Sequence, residues 1–239
     1  MTTLLASASL PIGQFIEVRV GGFTFNADTV WGSALAAVIV IAMGLAVAKS
    51  ASKEVPGKLQ LLWEMIYEAV KKQTEGSLGG SATPVIPLVV TLFMFILVAN
   101  LLEILPTGAR AVALPAPTAD VNLTYAMAAV VFVVYTSAAL RHRGVGGYFR
   151  GFLQPHWALT PINVIEEVVK PFTLALRLFG NMFSGGLMIM LLSLLPAYIA
   201  WLPTSVWKLF DMFIALIQAF IFALLTLLYY QAAVSDTGH

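Results

Sequence analysis

At 239 residues, with 59% apolar side chains and only 10% charged ones, and with a mean hydropathy of +0.89, the chain is too apolar for a water-soluble domain, which carries about 25% charged residues. A formal charge of +1 leaves no basic surface to neutralise phosphates and argues against nucleic acid as a partner. The lack of cysteine removes disulfides, thiolate metal sites and cysteine nucleophiles; His142, His156 and His239 fall in loops or the tail, so no metal and no cofactor is expected.

Met1 to Leu10 has neither the basic n-region of a secretory leader nor the Arg-rich amphipathic character of a transit peptide. The reading is a bacterial plasma-membrane protein without a removed leader. Residues 1–28 form an outer amino-terminal segment, and span 1 follows over residues 29–48, free of charge. Residues 56–75 differ: Leu59, Leu62, Trp63, Ile66 and Val70 recur near helical spacing, with Lys58, Glu64, Glu68, Lys71 and Lys72 on much of the other side. This is an amphipathic helix lying at the membrane surface; the alternative is a soluble helix packed on a partner. Span 2 covers residues 84–105 and span 3 residues 120–141, while the Gly/Pro-rich stretches 76–87 and 106–117 are connections. Span 4 covers residues 158–195 and span 5 residues 203–232. A crossing needs about 20 residues, so the last two are long enough to be strongly tilted. The fold class is thus an all-α polytopic membrane protein, one membrane domain over residues 1–239, with five membrane-crossing helices and one interfacial amphipathic helix.

Lys49, Lys53, Lys58, Lys71 and Lys72 lie between spans 1 and 2, and Arg141, Arg143 and Arg150 between spans 3 and 4; the opposite loops carry only Arg110 and, at the edge of span 5, Lys208. Positive charge collects on the cytoplasmic side. The amino terminus is therefore outside and the carboxyl terminus cytoplasmic.

Arg177 stands inside span 4 in the run Leu174-Ala175-Leu176-Arg177-Leu178-Phe179-Gly180-Asn181-Met182. An arginine at mid-bilayer costs about 2.5–3.5 kcal/mol at the least, and its pKa above about 12 rules out neutralisation. At 100° per residue, Glu166, Lys170, Thr173, Asn181 and Ser184 share its side of the helix. Glu166 lies about 16 Å away along the axis, towards the cytoplasm. In span 5, Asp211 and Gln218 share a face. Asn100, Glu103, Asp120 and Asn122 mark the outer ends of spans 2 and 3. Acids Glu103, Asp120 and Asp211 thus gather on the outer side of Arg177, and Glu166 and Glu167 on the inner side. That is the pattern of two offset polar half-pathways, lined by proton-relaying acids and amides, with a fixed cation between them that favours the ionised form of any carboxylate brought near.

Each residue has a plainer role to set beside this one. Glu103 and Asp120 suit solvated loop ends, Asp211 suits pairing with Lys208, and Glu166 and Glu167 suit the positive dipole end of a helix start. Gly180, Gly185 and Gly186 suit close helix packing. Arg177 does not suit a snorkelling helix-end residue, because uncharged sequence continues from Leu178 to Trp207.

The run Lys170-Pro171-Phe172-Thr173-Leu174-Ala175-Leu176-Arg177-Leu178-Phe179-Gly180-Asn181-Met182 strongly resembles subunit a of F-type ATP synthases. So do Gln218-Ala219-Phe220-Ile221-Phe222-Ala223-Leu224-Leu225-Thr226, Asn100-Leu101-Leu102-Glu103-Ile104-Leu105-Pro106 and Pro117-Thr118-Ala119-Asp120-Val121-Asn122. The resemblance implies a stator that couples proton flow to rotary ATP synthesis or hydrolysis. Its partners would be a ring of c subunits, the peripheral-stalk b subunits, the other synthase subunits, membrane lipid and protons. It implies that Arg177 faces the carboxylate of each c subunit, flanked by Asn181 and Gln218, and that the last two helices curve against the ring. It implies an outer half-channel of Glu103, Asp120, Asn122, Asp211 and Asn100 and a cytoplasmic one of Glu166, Glu167 and Ser184. Some members pair a glutamate at the position of Gly186 with a histidine at that of Asp211; here the glycine leaves space and Asp211 alone is expected to serve. No Gly-x-x-x-x-Gly-Lys-Ser/Thr loop is present, so the subunit is expected to be non-catalytic, with no nucleotide site of its own. A stand-alone channel or secondary transporter would call for internal repeats and a self-contained substrate site, and neither is apparent. A purely structural assembly subunit, with Arg177 serving only in docking, is the third reading.

Overall fold

The structure is a computed structural model and describes residues 17–20, 23–51, 57–78, 84–104, 117–153 and 156–234. Its first element is a hairpin that the all-α reading did not include. Strands β1 (Glu17–Val20) and β2 (Phe23–Asn26) pair antiparallel, with Glu17 opposite Asn26 and Val20 opposite Phe23. Val18, Val20, Phe23 and Phe25 are strand formers, and a Gly-Gly pair separates the two runs, a common hairpin signal. β2 leads directly into α1 (Ala27–Ser50).

Five further helices follow among the described residues: α2 (Lys58–Leu78), α3 (Ile86–Ile104), α4 (Val121–Gly151), α5 (Thr160–Ser193) and α6 (Ala197–Val234). Single 3₁₀ turns at Pro117–Ala119 and Trp157–Leu159 lead into α4 and α5. Four stretches are long and apolar enough to cross a membrane: Ala27–Ser50, Val121–Gly151, Trp157–Ser193 and Tyr198–Val234. The expected span 2 is the exception. Its apolar run, Ile86–Leu102, is shorter, and the 19 residues of α3 reach only about 28 Å at 1.5 Å per residue.

α3 is nevertheless the centre of the molecule. Ile86, Val89, Val90, Met94, Ile96 and Ala99 are buried on it, Ile96 and Ala99 completely. α6 packs along α3 more extensively than any other pair of elements, α1 lies on α3 elsewhere, and α4, α5 and α6 touch one another. α6 offers Ala215, Ala219 and Ala223 at four-residue intervals, all buried. Small side chains let helix axes approach closely, and that contact is what holds helices together where lipid is as apolar as leucine. Phe222 and Leu227 fill the space between.

Two helix limits and one helix face differ from expectation. α4 continues beyond residue 141 to Gly151, but breaks at Gly144, whose φ of 69° and ψ of 164° suit a residue without a side chain. α6 begins at Ala197 rather than at 203, because the Pro196 carbonyl accepts the amides of Ile199 at 2.9 Å and Ala200 at 3.0 Å. Pro203 is then carried inside the helix, at the cost of the bond its missing N–H would have made. On α2 the inward face is Gln60, Trp63, Ile66 and Val70, while Leu59 and Leu62, expected on the apolar face, stay exposed.

Truncating Ile96 to alanine opens a void at the α3–α6 contact. With lipid rather than water outside, the expected cost is about 2 kcal/mol, the low end for such a change, read as a lower thermal midpoint of the purified protein in detergent.

Candidate functional site

α5 has two unlike sides. Leu174, Ala175, Leu178, Met182 and Gly185 are buried against the bundle. Phe172, Leu176 and Phe183 are exposed, and Arg177 is exposed with them. Leu209, Phe213, Leu216 and Phe220 are likewise exposed on α6. The outer surface of α5 and α6 is thus rich in large apolar side chains and carries a guanidinium. Arg177 makes no ion pair or hydrogen bond among the described residues.

The polar stripe expected on α5 is real, but most of it looks after itself. Thr173 donates to the Lys170 carbonyl at 2.9 Å, and Ser184 donates to the Asn181 carbonyl at 2.9 Å, the usual way a hydroxyl is satisfied on its own helix. Lys170 Nζ lies 2.8 Å from Glu167 Oε2 and 3.7 Å from Glu166 Oε1, and 6.0 Å from the centre of the Tyr229 ring on α6. The two acids differ: the Glu166 side chain is 68% exposed and that of Glu167 only 16%. Glu167 is therefore the member turned towards the bundle, where the Tyr135 and Tyr229 rings meet tilted at 56° with centres 5.9 Å apart.

At the opposite end of the bundle, Asp120 is buried and fully engaged. Its Oδ2 accepts from Thr29 Oγ1 at 2.6 Å and Asn26 Nδ2 at 2.7 Å; its Oδ1 accepts from the Asn122 amide at 2.8 Å and Asn122 Nδ2 at 3.0 Å. The carboxylate caps α4 and ties it to the start of α1. Beside it, the buried Thr118 hydroxyl donates to Asn100 Oδ1 at 2.8 Å, joining α3 to the turn before α4. Asn100, Asp120 and Asn122 are thus brought together, and the solvated-loop reading of Asp120 is wrong, because nothing in composition links it to partners 91 and 94 residues away. Glu103 belongs to α3, but its side chain lies outside the described residues.

Asp211 is buried on α6 and makes no ion pair with Lys208 among the described residues. It faces α5 at Gly185. A Cβ on that glycine would lie 3.0 Å from Asp211 Oδ1 and 3.4 Å from Oδ2, so the hydrogen side chain there makes room for the carboxylate. From sequence alone Gly185 suggests only close helix packing. Asn181 Nδ2, Gln218 Nε2 and Asn100 Nδ2 are buried donors with no protein acceptor among the described residues, and buried amides of this kind pair with water or a bound group. No cluster of three metal-ligating side chains occurs among the described residues. The site therefore offers one exposed cation, one buried acid with a cleared approach and several uncommitted amides, a set suited to holding water and passing protons.

Known proteins resemble the chain over nearly its whole length. The family described as ATP synthase A chain matches residues 30–231. ATP synthase subunit a of Acidothermus cellulolyticus is 47% identical over 234 residues, covering 98% of this chain and 86% of that one. The proteins of the same name from Mycobacterium tuberculosis and Vibrio cholerae are 43% and 35% identical, covering 98% and 89% of this chain and 97% and 85% of their own lengths.

Replacing Asp120 with alanine strips a buried hydroxyl and an amide of their acceptor and removes the α4 cap; a loss of about 2 kcal/mol or more is expected, measured as thermal stability in detergent. Gly185→Ala should displace Asp211 and lower stability as well, whereas Gly146→Ala, with nothing within 4 Å of its Cβ, should be neutral in the same assay.

Proposed function

Because the chain belongs to the ATP synthase A chain family, we propose that it is the stationary half of a proton path, working against a rotating ring of c subunits. One observation carries this reading: Arg177, a cation that cannot be neutralised, stands exposed, and unpartnered among the described residues, on an apolar helix. Left against lipid it costs about 2.5–3.5 kcal/mol or more. A carboxylate about 4 Å away, at an effective dielectric constant near 20, returns about 4 kcal/mol. The arrangement is sensible when a partner brings an acid to that face.

In this reading a ring carboxylate passing Arg177 is held in its ionised form, and so gives up its proton on one side and takes one on the other. The outer half-pathway runs by Asp211, Asn100, Asn122 and Glu103. Asp120 belongs to it as framework, since four donors occupy its oxygens. The cytoplasmic half-pathway runs by Glu166, Glu167 and Ser184, with Glu167 the better placed acid because it is turned inward. Asn181 and Gln218 flank the cation between the two. α3 crosses as a fifth span, shielded by its neighbours, which puts the amino terminus outside and the carboxyl terminus in the bacterial cytoplasm. α5, with 34 residues, and α6, with 38, run to about 51 Å and 57 Å against a hydrocarbon core of about 30 Å; tilt along the ring absorbs the excess. The peripheral-stalk b subunits, the other synthase subunits and lipid complete the partners. Catalysis on nucleotide lies elsewhere in the complex.

The test is ATP-driven acidification of inverted vesicles at matched assembly of the complex. Arg177→Ala should abolish pumping while passive proton leak persists or rises; unchanged pumping would sink the separator role and return Arg177 to docking. Asp211→Asn should slow pumping severalfold with assembly intact, and wild-type rates would remove Asp211 from the path.

A further inference from the structure

Between α3, α4 and α6, at the end of the bundle away from Asp120, lies a cavity of about 580 Å³, inside the range of about 300–1,000 Å³ typical of ligand sites. Val85, Leu88 and Val134 supply apolar wall; Ser137, Arg141 and His142 supply polar rim. No carboxylate lines it among the described residues. The Ser137 hydroxyl proton is already given to the Val134 carbonyl at 2.8 Å, which leaves Arg141 as the principal cation of that rim. Arg143, two residues on, is spent on the Ala232 carbonyl of α6 at 3.0 Å; Arg141 makes no such bond among the described residues.

Position along α4 adds a second argument. Arg141 lies twenty residues after Val121, the first residue of α4, or about 30 Å, one hydrocarbon thickness. The helix then breaks at Gly144. A cation at that depth, above apolar walls from three helices, matches an amphiphile with an anionic head and apolar chains. Free phosphate would leave Val85, Leu88 and Val134 unused. Basic pockets between membrane helices at the cytoplasmic boundary are known to take acidic headgroups.

We infer that this cavity binds one anionic glycerophospholipid, with its phosphate on Arg141 and its upper acyl chains along Val85, Leu88 and Val134. The inference rests on α3, α4 and α6 crossing the membrane as proposed above, and not on the role of Arg177.

The experiment uses the whole synthase complex, purified in mild detergent and stripped of loose lipid. Phosphatidylglycerol, phosphatidylcholine and glycerol 1-phosphate are each added back, and retention is measured by native mass spectrometry. Phosphatidylglycerol should be retained at one molecule per subunit. Arg141→Gln should weaken retention about tenfold or more, as should Ala138→Trp, which fills the cavity; Arg177→Ala should leave it unchanged. The two cavity variants differ in chemistry, so failure of one to assemble leaves the other as the test. Equal retention of phosphatidylcholine, or of glycerol 1-phosphate, overturns the inference in favour of a nonspecific annulus or a soluble-anion site. A photo-crosslinker at position 138 that reacts with the chain's own tail or another subunit overturns it too, since protein then fills the space.

Discussion

The constraint on which everything else turns is that a guanidinium cannot discharge itself. A buried lysine or acid meets a low dielectric by changing protonation; Arg177 has no such exit, so the protein must supply geometry instead. The bundle does this by turning Arg177 away from its own interior. Leu174, Ala175, Leu178 and Met182 take the inward side of α5, and the cation is left to the surface where a second body can neutralise it. An internal partner would have satisfied the charge permanently. The exposed apolar residues of α5 and α6 then belong to the same design, because they are what a neighbouring helix would cover.

Holding that surface steady is the task of the rest of the fold. α3 is too short and too enclosed to present much to lipid, and acts as the member against which α6 is set by its three spaced alanines. At one end Asp120 fastens α1 to α4; at the other Lys170 joins the acids of α5 to an aromatic ring of α6. The acids divide by how heavily they are engaged. Asp120 accepts four hydrogen bonds and acts as joinery. Asp211, with cleared backbone before it and no ion partner among the described residues, is left uncommitted.

Much of this was readable in the residues, and the gaps have physical causes. Long apolar runs disclose crossing helices because length and hydropathy are local properties, and Arg177 is conspicuous because charge is rare there. The hairpin escaped notice although Gly21-Gly22 between alternating β-formers announces it, because attention to spans treats a short amino-terminal stretch as leftover. α6 extends before the apolar run that begins near residue 203 because the Pro196 carbonyl accepts two amides and Pro203 is carried inside the helix. That Gly185 meets Asp211 depends on the crossing of α5 over α6, which no local pattern carries. The bonds from Thr29 and Asn26 to Asp120 span some ninety residues and carry no local signature at all.

The break at Gly144 has a mechanical consequence. Arg143, immediately before it, is fastened to α6; Tyr148, Phe149 and Phe152, after it, cluster with one another. The helical ladder is interrupted between the two groups, so the two parts of α4 meet at a single pivot. The distal part is nevertheless fastened to α5, where Asn163 Nδ2 donates to the Phe152 carbonyl at 2.9 Å. A fusion or insertion beyond residue 144 therefore loads, through Asn163, the same helix that carries Arg177.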